Sequence, residues 1–348
     1  MPPQADEYEI TLFGPGFGEA IAVHLGDQRW LLIDSCIDPN VKKPASGHYL
    51  ESIGVNPDGI KSIVASHWHD DHVRGFSALT AQYPNAEIFI PSVFSKAEVL
   101  QFLAAYGGEP CEKLAKGTRE LYDVIKRRKW IPTSQRMPIF DGETLGQKVL
   151  ACALTPLPAA FAKFVAYAAQ LIPAAGKPIN DAPELRPNAE SIVVHLQFGE
   201  EALLLGSDLE EHATHGWSAV TADAWSQKRR KANVYKVAHH GSQGAHHDDI
   251  YSVLLTVKPI SLLTPFYNGR HKLPNESDRQ RIRALSAKTF ITSKVGATPT
   301  LPATQVKRLR NVVKNLAPVN PGFGAIRLRR KYNNAEWQVE LFGDAGAI

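Results

Sequence analysis

The sequence is poor in cysteine, in long apolar runs and in net charge, and each shortage narrows the class of protein. Only three cysteines stand among 348 residues. Cys36, Cys111 and Cys152 are too few and too scattered for a disulfide framework or a thiolate zinc site, so a reducing, cytoplasmic setting is expected. No run of roughly eighteen consecutive apolar residues occurs, and the opening MPPQADEYEI lacks a basic segment followed by an apolar one. Neither a membrane span nor a secretory leader is expected. The formal charge is only +4, but it is unevenly spread: Lys126 to Lys129, Lys228 to Lys231, and Arg327 with Arg329 to Lys331 form basic clusters. Such clusters suit a polyanionic partner and serve equally well as solvated faces of helices and strands.

What is present is a mixed α/β pattern. Short β-like runs such as EYEITLF, AIAVHL, RWLLID, SIVAS, KVLACAL, ALLLGSD and VYKVAHH recur along the chain. Helix-period stretches such as VRGFSALTAQYP, AAFAKFVAYAAQLI and ESDRQRIRALSA lie between them. Strands near both ends with helices interleaved fit sheets packed face to face and covered by helices. The least regular stretch, about 91–187, contains two long helical patterns around IPTSQRMPIFDGETLGQ and ends in the proline-rich IPAAGKPINDAPELRP. It reads as a largely helical insertion into a single domain spanning residues 1–348.

Thirteen histidines occur in the chain, and three of them stand within SHWHDDH. This stretch follows the apolar run Ile63-Val64-Ala65. Placed in a loop at a strand end, His67, His69, Asp71 and His72 can converge on one point. Imidazole nitrogens and carboxylate oxygens are the donors that Zn, Mn or Fe take. Asp70 reads as a variable, solvated neighbour.

His67-Trp68-His69-Asp70-Asp71-His72 resembles the HxHxDH motif of the metallo-β-lactamase superfamily, and the rest of the chain follows in family order. WLLIDSC sets Asp34 at a strand end, similar to the aspartate that supports the histidine loop from behind. ALLLGSDLEEH sets Asp208 where the family's metal-bridging aspartate stands, and VYKVAHHGSQGA supplies His239 and His240 for the last histidine ligand. The resemblance covers roughly residues 8–295. Asn188 with Ser191, the His239 to Ser242 run and NGRHKLP look like the soluble nuclease-type domain of ComEC competence proteins and its stand-alone relatives. The resemblance implies a four-layer αββα sandwich of two mixed sheets with helices outside. It also implies one or two divalent ions, Zn or Mn, and hydrolysis by a metal-activated water.

On that footing His67 and His69 serve one metal position, while Asp71, His72, Asp208 and one of the adjacent histidines serve the other. His239 is preferred because it comes first after the strand. Asp71 is the expected orienting or proton-accepting group. His240, Ser242 and His271 are candidates for contacting the scissile group or its leaving atom. One departure stands out: the family's further histidine, in a Gly-His-Thr turn, has no counterpart in VLACALTPLPAA, where Thr155-Pro156 stands. His195 lies in that interval inside an apolar strand and reads as structural. The leading expectation is a phosphodiesterase or nuclease acting on nucleic acid or another phosphodiester, with or without a protein partner. The alternatives are a hydrolase of a small ester, lactone or cyclic nucleotide, with the 91–187 region as a lid, and a non-catalytic binding module that keeps the fold.

Overall fold

The computed structural model describes residues 1–14, 18–107, 116–172, 187–267, 272–293, 322–332 and 336–348. The first part of the chain builds one sheet. β1 (Glu7–Gly14), β2 (Ala20–His24) and β3 (Trp30–Ile33) form an antiparallel meander. The hairpin of β4 (Ile37–Asp38) and β5 (Lys43–Pro44) and then α1 (Ala45–Ser52) lead to β6 (Ile60–Val64), which pairs parallel with β3. After α2 (Asp70–Val73) and α3 (Phe76–Gln82) comes β7 (Glu87–Pro91), and after α4 (Ala97–Gly107) and α5 (Lys116–Arg127) comes β8 (Ile131–Thr133). Both strands extend the parallel side.

The second part repeats this plan. β9 (Pro138–Thr144), β10 (Gln147–Ala153), β11 (Val194–Phe198) and β12 (Glu201–Leu205) run antiparallel, with α6 (Pro158–Gln170) between β10 and β11. Beyond α7 (Trp217–Ala222) and α8 (Ala224–Gln227), β13 (Ala232–Lys236) pairs parallel with β12. β14 (Leu255–Leu263), the hairpin of β15 (Phe266–Tyr267) and β16 (Lys272–Leu273), α9 (Glu276–Leu285) and β17 (Lys288–Ile291) follow. β14 and β17 continue the parallel side. At the C-terminus β18 (Gly324–Lys331) and β19 (Gln338–Gly343) return to β1, and β20 (Gly346–Ala347) returns to β17. Two eight-stranded mixed sheets result.

Period-two side-chain alternation sorts the residues into layers. Leu31 and Ile33 of β3, Leu203 and Leu205 of β12 and Val234 of β13 join the core between the sheets. Trp30 and Leu32 point the other way, into a core shared with α3, α4, α5 and α6. Ala202, Leu204 and Tyr235 point outward from the second sheet, toward Trp217 of α7 and Ile282 of α9. Three separate cores between four layers are what an αββα sandwich requires, so the expected fold class holds.

Within 91–187 the helices α4 and α5 precede, and α6 follows, the strands β8, β9 and β10, which belong to the two sheets. The strand β9 lies inside the stretch that looked least regular, and as an edge strand it buries only Ile139 and Thr144. The proline-rich close of that region, the NGRH element and the late helical pattern TQVKRLRNVVKN lie outside the described residues.

Candidate metal centre

Four strand ends meet at the site. β3 and β6 deliver Asp34 and the His67–His72 loop, while β12 and β13 deliver Asp208 and the His239–His240 pair. In both sheets the chain turns sharply just past the first of these strands, with left-handed backbone at Asp34 (φ 60°) and Ser207 (φ 45°). Each turn is tied to its parallel neighbour: Asp34 N–H donates to Val64 O at 2.8 Å, and Gly206 N–H donates to Lys236 O at 3.0 Å.

Asp34, almost fully buried, organises the histidine loop. Its two carboxylate oxygens accept from Ser66 N–H and Ser66 Oγ–H, each at 2.7 Å. His72 Nδ1 also lies 2.7 Å from Asp34 Oδ2, which fixes Nδ1 as the protonated nitrogen. The opposite nitrogen, His72 Nε2, then faces Asp208 Oδ1 at 3.4 Å and Asp71 Oδ2 at 3.7 Å. His240 is set in the same way. Thr264 Oγ1–H is committed to Glu19 Oε2 at 2.6 Å, so this hydroxyl accepts from His240 Nδ1 at 3.0 Å. His240 Nε2 faces Asp71 Oδ2 at 3.2 Å and Asp208 Oδ2 at 3.6 Å.

Asp71, His72, Asp208 and His240 thus form one buried cluster, with a potential ligand atom from each lying within 4.8 Å of the others. Burial disfavours the charge on Asp71, but the imidazoles of His72 and His240 outweigh it and hold the carboxyl below its usual range. Burial likewise opposes ionisation of Asp208, and His72, His240 and His239 overcome it. His72 Nε2 and Asp208 Oδ1 are buried without a hydrogen-bond partner. Two imidazole nitrogens aimed at two carboxylates in a dry site call for a positive charge between them. A divalent cation accepting N and O donors meets that need, so the residues fit a metal.

His67 and His69 form an adjoining pair, with His67 Nε2 lying 3.2 Å from His69 Nδ1. Burial lowers the pKa of both, keeping their nitrogens available as neutral donors. Where the Gly-His-Thr histidine would stand, the Thr155 hydroxyl instead accepts from Val193 N–H at 2.9 Å and donates to Ser191 O at 2.5 Å.

The structure places His240, in preference to His239, among the clustered donors. Both residues adopt left-handed backbone (φ 52° and 46°); His240 is fully buried in the cluster, while His239 stays partly exposed at its edge, near enough to Asp208 to act on its charge. His239 Nδ1 lies 3.1 Å from Glu210 Oε1. Ser242 bonds within its own turn, accepting from Gly244 N–H at 3.3 Å. His271 lies outside the described residues. Asp70, expected to be solvated, is half-buried and accepts from Gly117 N–H at 2.7 Å, fastening α5 to the metal loop. A Cβ on Gly117 would stand 2.7 Å from Val73 and 2.9 Å from Asp70 Cα, so only glycine allows this approach.

Sequence reasoning missed the ion pair beneath the cluster. Lys236 is fully buried, its Nζ lying 2.6 Å from Glu19 Oε1 and 3.9 Å from Asp208 Oδ1 and donating to Ser207 O at 3.1 Å. A lone lysine in the apolar strand VYKV was the available signal. Also unforeseen is a cavity of about 880 Å³ that begins at His69. Helix α6 walls it with Lys163, Phe164 and Tyr167, and His212 and His215 face it from the loop after Asp208. Phe164 packs edge-on against Trp68, between the two histidines of the pair, at 5.1 Å between ring centroids.

Residues 13–96 match the family model described as the metallo-beta-lactamase superfamily. That segment holds Asp34 and the entire histidine loop. The two-sheet sandwich is the fold of that superfamily. Similar solved structures include the metallo-β-lactamase SMB-1 bound to 2-mercaptoethanesulfonate (13% identity, 66% of this chain and 76% of that one, TM-score 0.34). A Cronobacter sakazakii metallo-β-lactamase with a HARLDQ motif shows 14% identity over 65% of this chain and 76% of its own, with a TM-score of 0.33. A putative metallo-β-lactamase from Thermotoga maritima shows 13% identity over 58% and 79%, with a TM-score of 0.31. No curated protein matches the chain. Among the described residues no helix is long and apolar enough to cross a membrane.

Proposed function

We propose that the protein is a metal-dependent hydrolase of phosphodiesters. The observation that carries this reading is the buried quartet Asp71, His72, Asp208 and His240, in which both imidazoles are held by Nδ1 and direct Nε2 toward the two carboxylates. Those four residues would hold one divalent ion, and His67 and His69 would hold a second with Asp208 as the shared group. When bound, Zn²⁺ or Mn²⁺ supplies Lewis acidity that polarises a phosphoryl oxygen and acidifies water. The chain supplies the rest. Asp34 and Thr264 keep the two imidazoles in one tautomer, Asp71 is placed to orient the attacking water or take its proton, and Lys236 holds Asp208 in place from beneath.

The phosphodiester as target is supported by Lys163, a cation, and by the hydrogen-bonding imidazoles His212 and His215 along the cavity beside His69. The basic clusters support it less. Arg128 donates to Pro84 O at 2.8 Å, Arg329 pairs with buried Glu9 at 2.6 Å and Arg330 with Glu201 at 2.9 Å, so much of that charge is engaged within the fold. A cavity of about 880 Å³ suits a compact substrate better than a duplex.

The test combines metal analysis of the purified protein with hydrolysis of bis(p-nitrophenyl) phosphate under Mn²⁺ or Zn²⁺. The expected result is cation-dependent turnover that Asp208→Asn reduces at least about a hundredfold. Turnover unaffected by chelation, or by that substitution, would overturn the reading.

A further inference from the structure

The turn that closes the cavity opposite α6 carries hydrogen-bonding groups that the fold does not use. Ile192 N–H donates to Ser66 O at 2.9 Å, which holds residues 187–191 beside the metal loop. Within this turn Asn188 Oδ1, both carboxyl oxygens of Glu190 and Ser191 Oγ are buried with no hydrogen-bond partner. Glu190 is the outlier: it is 0% exposed, lies on the cavity wall and, among the described residues, has no cation acting on it. Leaving such a group unsatisfied costs about 1–3 kcal/mol, a cost that folding alone gives no reason to keep. Tyr167, 39% exposed, lines the same cavity, with Lys163 one turn away on the same helix. His212 and His215 stack at 3.5 Å between centroids, and the positive charge of Lys163 adds to the burial that pushes His215 down to about 4. Lys163 is the cation on this lining, and the carboxylate of Glu210, which also lines it, is engaged by Asn188 at 3.1 Å and by His239.

Resting on the phosphodiesterase reading, we propose that the cavity takes a phosphodiester of nucleotide size and that Glu190 is its specificity-determining residue, hydrogen-bonding the ring of the organic group. Burial raises the Glu190 carboxyl to about 8, so at neutral pH it is a neutral acid with one donor and one acceptor side by side. That pair complements a heterocycle whose edge carries an adjacent N–H and C=O, as in thymine, uracil or guanine. Tyr167 offers a stacking face, and Lys163 with His212 and His215 lies where the phosphate would be received.

Two p-nitrophenyl esters test this: thymidine 5′-(p-nitrophenyl phosphate), which carries the ring, and bis(p-nitrophenyl) phosphate, which does not. The wild type should prefer the nucleotide ester in kcat/KM. Glu190→Leu should reduce that preference at least about tenfold, mainly through KM, and Glu190→Gln, which keeps a donor and an acceptor, should restore most of it. The Tm of Glu190→Leu should equal or exceed that of the wild type, because an unsatisfied buried group is removed. An unchanged preference together with a lowered Tm would make Glu190 structural and overturn the proposal. So would cleavage of single-stranded DNA without turnover of the nucleotide ester. If neither ester is hydrolysed under Mn²⁺ or Zn²⁺, the phosphodiesterase reading fails by itself. The cavity is then judged by calorimetry of the metal-free protein with thymidine 5′-monophosphate. Binding tighter than that of inorganic phosphate and weakened by Glu190→Leu supports the proposal, and equal binding of the two overturns it.

Discussion

The two sheets present the same device with opposite charge. In the first sheet a buried acid, Asp34, holds a basic loop: its carboxylate accepts from Ser66 and fixes His72. In the second a buried base, Lys236, holds an acidic turn: its ammonium donates to Ser207 O and lies 3.9 Å from Asp208. Both turns follow a strand whose C-terminal end lies beside a parallel neighbour, and both contain one residue with left-handed backbone. A buried charge behind each set of ligands lets each sheet hold its half of the site before a cation arrives. Glu19, which precedes β2 of the first sheet, links the halves: its N–H donates to Asp71 O at 2.8 Å, while its carboxylate contacts Lys236 and Thr264, the partner of His240, in the second.

The largest effects should come from removing either buried charge. Lys236→Met leaves Glu19 and Asp208 unbalanced and should cost about 3–5 kcal/mol in denaturant unfolding. Adding Glu19→Gln to it should recover part of the loss, a coupling that independent sites would not show. Asp34→Ala should cost a similar amount and, by freeing His72 to turn, weaken Mn²⁺ or Zn²⁺ binding about 10–100-fold in calorimetric titration. Equal metal affinity in the Asp34 variant would break the comparison, because the acid would then be stabilising the fold without setting a ligand.

A smaller effect concerns pH. The Glu190 carboxyl is raised to about 8 when folded and has an ordinary value near 4.3 when unfolded. Between those values the native state holds the extra proton, so the wild type loses stability as pH rises from about 5 to about 8. The steepest slope is about 1.4 kcal/mol per pH unit. Glu190→Gln should flatten that slope, as measured by urea midpoints across the range. Smallest is Gly117→Ala, in which the added methyl meets Val73 and Asp70. It should cost about 1–3 kcal/mol and displace the metal loop of the first sheet while leaving the Lys236 side unaffected.

The first sheet's half of the site was legible because its donors fall within six consecutive residues after an apolar run, and a loop of that density has few structural explanations. Asp208 was legible from a strand ending in Gly-Ser-Asp. Which of His239 and His240 joins the clustered donors was not, since counting from the strand end assumes an ordinary backbone and both residues adopt left-handed backbone. Lys236 and Glu19 were hidden for a related reason: residues from separate sheets form a pair, and neither neighbourhood in sequence contains the other. The sandwich itself showed in the alternating strands. β9 escaped notice because this edge strand buries only Ile139 and Thr144, and its Pro138, Asp141 and Gly142 resemble a loop.

The central claim is that the two halves close on one cation, and metal titration of matched variants tests it most directly. Calorimetric titration with Mn²⁺ or Zn²⁺ should show tight binding in the wild type. That binding should be lost, by at least about a hundredfold, both in His72→Ala from the first sheet and in His240→Ala from the second. Retention of wild-type affinity in His240→Ala, with loss confined to His72→Ala, would mean that the histidine loop binds its metal alone and would contradict the account.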